Sequence, residues 1–162
     1  MSYNEIATLY RETSARGSHP TTLVVKLYDA ILEDLRRALN AAAAGDIQGR
    51  AASLNHSLLV IAELQSVLDR ERGGEVAKRL DGFYNVTRGL IVEANLHSKP
   101  EQIQRLIELY VPLRQAWKQV EEEMAQGASQ ADAPLPKPNP APLANALAEF
   151  SEVDREHAQW NA

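Results

Sequence analysis

Apolar residues recur at alternating steps of three and four through four successive stretches between Val24 and Met124, and this repetition restricts the chain to amphipathic helices packed on one another. In the first stretch the stripe is Val24, Tyr28, Ile31, Leu35, Ala38 and Ala42. In the second it is Ala51, Leu54, Leu58, Ile61, Leu64 and Leu68. The third carries Val76, Leu80, Phe83, Thr87, Leu90 and Ala94, and the fourth Ile103, Leu106, Tyr110, Leu113, Trp117, Val120 and Met124.

Punctuation between the stripes agrees with helix boundaries. Ser18-His19-Pro20 reads as a helix start, because proline in a first turn loses no hydrogen bond. The first helix is expected to run to Ala44, with Gly45 as its stop and Asp46 as the cap of the next. Gly73-Gly74 offers a turn before the third helix, which should finish between Asn95 and Ser98 because Pro100 disfavours helix at the residue before it. Pro112 lies inside the fourth stripe and predicts a bend between Glu108 and Pro112 rather than an end. Long helices joined by short loops predict an all-α fold, an antiparallel up-and-down four-helix bundle over residues 1–126. Ahead of the first stripe, Asn4 to Arg11 can make two turns presenting Ile6, Leu9 and Tyr10. Such a short N-terminal cap helix depends on docking for its stability.

After Gln126 the composition changes. Residues 127–142 contain five prolines, at 134, 136, 138, 140 and 142, and read as a semi-rigid extended linker. Residues 143–160 can form a tail helix with Leu143, Leu147 and Phe150 on one side, suited to occupy an apolar groove of the bundle as a mimic of a bound partner.

The residue inventory argues for binding rather than catalysis. The net charge of -5 removes the positive excess that nucleic acid requires. The absence of cysteine excludes disulfides and thiolate chemistry. No apolar run approaches the length of a membrane span, and the N-terminus lacks the pattern of a signal peptide, so a cytoplasmic location without membrane insertion is expected. Glu93 with His97 and Asp154 with His157 have no matching pair on a facing helix, so no metal site or cofactor is expected. His56 invites comparison with phosphotransfer bundles. Its following residues, Leu58, Leu59 and Val60, supply neither a cation nor a small residue, and a boundary-position histidine is the reading preferred.

Beyond the stripes the helices carry further apolar residues: Leu23, Leu27, Leu59, Val60, Val67, Tyr84 and Ile91. Together they suggest a shallow groove for an amphipathic partner helix, shielded when empty by the Ile6 to Tyr10 turn. The rival reading makes the same residues a homodimer interface of an oligomerising helical adaptor.

Specific motifs narrow the choice. The run from Tyr10 through SHPTTLVVKLYDAILEDLRRALNAAAAGD resembles the FliS family of flagellin export chaperones. LDRERGGEVAKRLDGFYNVTRGLIVEANL resembles that family's next block, and RQAWKQV at 114–120 its closing Arg-x-Ala-Trp. The elements follow in family order over residues 10–120. The resemblance implies a non-enzymatic chaperone in the cytoplasm that binds the C-terminal segment of flagellin, prevents its premature polymerisation and hands it to the flagellar export apparatus. It leaves room for a regulatory partner such as an anti-sigma factor. Position by position it marks Tyr28, Asp29, Ala94, Asn95 and Trp117 as family-motif residues, with Ile6 and Tyr10 in the movable N-terminal segment.

Overall fold

The computed structural model describes residues 20–128, which form four helices: α1 (Pro20–Ala43), α2 (Ile47–Ser66), α3 (Arg70–His97) and α4 (Pro100–Ala128). The expected Ser18-His19 helix start, the Ile6, Leu9, Tyr10 cap and the Leu143, Leu147, Phe150 tail lie outside the described residues. Helix α1 packs on α2 and on α4, and α3 completes the ring against the same two helices but less closely. Neighbours run antiparallel. Thr21 at the start of α1 meets Met124 near the end of α4, and Arg50 at the start of α2 donates to the Asn95 carbonyl near the end of α3.

The turns follow from local chemistry. Gly45 takes a positive φ of 71°, and the amides of Gly45 and Asp46 bond back to the carbonyls of Ala42 and Ala41, closing α1 in a Schellman pattern. The Asp46 carboxylate then accepts from the Gly49 amide and caps α2. At the far side of α3 the non-glycine Ser98 takes φ 52°, Lys99 bonds back to Ala94, and Pro100 opens α4. Helix α4 continues through Pro112 as one element.

The α2–α3 connection departs from the expectation. The chain turns over Val67 to Asp69, where Asp69 accepts the Glu71 amide, and α3 has begun before the glycine pair is reached. Gly74 does break the backbone, at φ 52°, ψ -128°, but inside the helix, leaving Arg70 to Gly73 as a separate leading turn.

At the centre of the bundle the core is aromatic. Tyr28, Phe83, Tyr84 and Tyr110 are almost fully buried, with ring centroids 5.0 to 6.5 Å apart in tilted and edge contacts. The hydroxyls of Tyr28 and Tyr84 share a hydrogen bond of 2.7 Å. Tyr110 and Thr87 lie 2.8 Å apart, so that with the Thr87 hydroxyl donating to the Phe83 carbonyl, Tyr110 donates to Thr87. Burial raises the pKa of all three tyrosines. These large side chains tie α3, the least closely packed helix, to α1 and α4.

Candidate functional site: an apolar pocket at one end of the bundle and the outer face of helix α3

An apolar cavity of about 320 Å³ opens where α1 begins, α2 ends and the Arg70 turn crosses over. Thr21 and Val24 form its α1 wall, Leu64, Val67 and Leu68 its α2 wall, and Val76, Ala77, Leu80 and Tyr84 its α3 wall. Trp117 closes it from α4. The indole N–H of Trp117 approaches the Tyr28 hydroxyl without forming a well-aligned hydrogen bond, and this proximity slightly offsets the upward effect of burial on Tyr28. The cavity lining is mainly apolar, with Thr21, Asp69, Tyr84 and Trp117 as its polar members, a character suited to an apolar side chain or helix edge.

Most of the second apolar set is buried rather than standing at the surface. Leu23, Leu27, Val60, Tyr84 and Ile91 are buried in the core, whereas Leu59 and Val67 are exposed, at 53% and 37%. Core-facing helices here bury up to three positions per heptad. Tyr84 and Val67 are the members of the set that reach the pocket wall. Pocket residues missed at the outset, Val24, Leu64, Leu68, Val76 and Leu80, belong to the primary stripes, and only the placement of the helix ends reveals that they line an opening.

The motif residues are clamps. Leu27 and Tyr28 are core, and the next residue, Asp29, is exposed and accepts two hydrogen bonds from Arg114, at 2.8 and 3.3 Å. This pairing raises the Arg114 pKa. Leu-Tyr-Asp on α1 and Arg-Gln-Ala-Trp on α4 thus lock together: Asp29 holds Arg114 while Tyr28 sits beside Trp117. In the third block Ala94 is fully buried and Asn95 offers its carbonyl to Arg50.

His56 faces α1, with Nδ1 against the carboxylate of Asp34, which is fully buried and also accepts from Arg37. The imidazole is 12% exposed, a boundary position inside a helix–helix contact. Among the described residues there is no cluster of three or more metal-ligating side chains, and no helix is long and apolar enough to cross a membrane.

A different surface carries the exposed apolar residues. On α3 the side chains of Val86, Val92 and Leu96 are 36%, 54% and 75% exposed, and at the same end as Leu96 the first residue of α2, Ile47, is 67% exposed. Gly82 and Gly89 share this outer face of α3, and nothing lies within 4 Å of where a Cβ would stand on either.

Comparison with known proteins places these features in context. The family model described as flagellar protein FliS matches residues 2–124. A relative from Campylobacter jejuni named flagellar secretion chaperone FliS is 33% identical over 120 residues, covering 74% of this chain and 94% of the relative. Relatives of the same name from Vibrio cholerae and Salmonella typhimurium are 29% and 28% identical, covering 69% and 67% of this chain and 82% of each relative.

Proposed function

Because the chain belongs to the flagellar protein FliS family, we propose that it is a cytoplasmic secretion chaperone that binds the C-terminal helical segment of flagellin and delivers it to the flagellar export apparatus. The observation that carries this reading is the family match over residues 2–124, joined to a relative of the same chaperone name that the chain covers almost end to end. A chaperone of this kind needs no catalytic group. It needs apolar surface that a helix-forming segment can cover, since coupled folding and binding offsets lost chain entropy with burial.

Two places on the bundle supply such surface. The end pocket accepts an apolar side chain, and the outer face of α3 accepts a helix. Thr21 and Val24, at the start of α1, form one wall of the pocket, and Ile6, Leu9 and Tyr10 precede them closely in the sequence. In this reading they cover the pocket in the free chaperone and leave it when flagellin arrives.

Calorimetric titration of the full chain with a peptide covering the C-terminal helical region of flagellin tests the proposal. The expected result is saturable binding with a negative heat-capacity change, accompanied by altered amide exchange in residues 1–19. Absence of binding would remove the flagellin reading, whereas binding with unchanged N-terminal exchange would remove only the cap.

A further inference from the structure

The outer face of α3 has a composition that local structure does not explain. Gly82 and Gly89 stand mid-helix, each disfavoured by about 1 kcal/mol relative to alanine, and neither is held there by a packed neighbour or a positive φ. Beside them Val86, Val92 and Leu96 turn apolar side chains to solvent. Glycines flanked by apolar residues on one helix face let a second helix approach closely and bury the flanking side chains.

The chain itself carries a segment of matching length, pattern and charge. Helix α4 ends at Ala128, at the end of the bundle where α3 begins. Residues 129–142, with a proline at every second position from 134 to 142, span about 43 Å at the polyproline rise of about 3.1 Å per residue. The continuous part of α3 beyond the break at Gly74, residues 75–97, measures about 35 Å at about 1.5 Å per residue. A spacer of that reach brings Leu143 to the far end of α3, beside Leu96.

From there a helix returning along α3 sets Leu147 against Val92 and Phe150 over Gly89, the largest apolar side chain of the segment above the position with no side chain. Of its five Asp, Glu, Lys and Arg residues, Glu149, Glu152, Asp154 and Glu156 are acidic and Arg155 alone is basic. In this register Glu149, Glu152 and Asp154 pass the exposed Arg88.

We propose that residues 143–160 dock in cis as a fifth helix, antiparallel to α3, on the face running from Gly82 to Leu96 with Phe150 seated on Gly89. The docked tail covers the face that the bundle otherwise leaves open, so any partner helix using it must first displace the tail. The contact is intramolecular and stands whether or not the cargo is flagellin.

Hydrogen exchange on the full chain tests it without any partner. Amides of residues 143–160 should exchange at least tenfold more slowly than in a free peptide of the same sequence, at a rate independent of protein concentration. Gly89→Glu places a bulky acid under Phe150 on an exposed face where it does not disturb the bundle. It should abolish the protection of residues 143–160 while leaving the thermal midpoint of the bundle unchanged or raised, and Phe150→Asp should give the same loss. An unprotected tail in the parent chain, protection that survives Gly89→Glu, or protection that grows with concentration would each overturn docking in cis, the last by assigning the contact to a second copy.

Discussion

Replacing Tyr84 by phenylalanine removes one oxygen from the middle of the bundle and strands another. The Tyr28 hydroxyl is fully buried and its well-formed hydrogen bond is the 2.7 Å contact to Tyr84, so the variant leaves a polar group in an apolar layer with only the poorly aligned Trp117 N–H nearby. An orphaned buried hydroxyl costs about 1–3 kcal/mol. Tyr84→Phe and Tyr28→Phe should therefore each destabilise by about 1.5 kcal/mol, which lowers the urea midpoint by about 1 M for an m-value near 1.5 kcal/mol/M. The double variant leaves no unpaired oxygen from either residue. It should cost no more than about 2 kcal/mol, giving a coupling of about 1 kcal/mol between the two positions. The assay is equilibrium unfolding of the four proteins with m held equal. Single effects that simply add, or a neutral Tyr84→Phe, would refute the claim that this hydrogen bond ties α1 to α3.

Three further expectations follow from the same structure. Burial holds the Tyr28, Tyr84 and Tyr110 pKa values above the ordinary phenol, so above pH about 10 the unfolded chain sheds protons that the folded chain keeps. Stability is then intact below about pH 10 and falls above it by up to about 1.4 kcal/mol per pH unit for each tyrosine; phenolate absorbance of these residues should appear together with unfolding, and their free titration in the folded protein would contradict the burial. A Cβ on Gly49 would stand 2.2 Å from a carboxylate oxygen of the capping Asp46, so Gly49→Ala should lose about 1 kcal/mol in thermal or urea unfolding despite alanine's better helix propensity. Leu27→Ala should cost about 3 kcal/mol, whereas Leu59→Ala on the exposed face of α2 should stay within about 0.5 kcal/mol in the same measurements.

The four helices were legible because their stripes are long and their stops are chemically marked. Gly45 with Asp46, and Pro100 after Ser98, fall where the backbone needs a positive φ, a cap and a first-turn proline. The inward face of α2 was harder to read. Leu58, Leu59, Val60 and Ile61 are consecutive apolar residues, and their phase is set by Leu54, Ser57 and Leu64, which turn Val60 and Ile61 inward and leave Leu59 outside. The Gly73-Gly74 turn was misplaced because Asp69 supplies a cap earlier in the chain. Pairings such as Asp29 with Arg114 and Asp34 with His56 join side chains on different helices, and a linear pattern carries no register between helices. The pocket was hidden for the same reason: most of its walls are ordinary stripe residues, brought together only by the placement of the helix ends.

The break at Gly74 bears on how that pocket is built. Of its lining residues Leu68, Asp69 and Gly73 precede the break, while Val76, Ala77, Leu80 and Tyr84 follow it. The lining is thus drawn from both sides of a residue whose dihedrals lie outside the helical ladder, so the shape of the pocket depends on the backbone angles of one glycine, whereas the aromatic layer farther along α3 is anchored separately on Tyr28 and Tyr110.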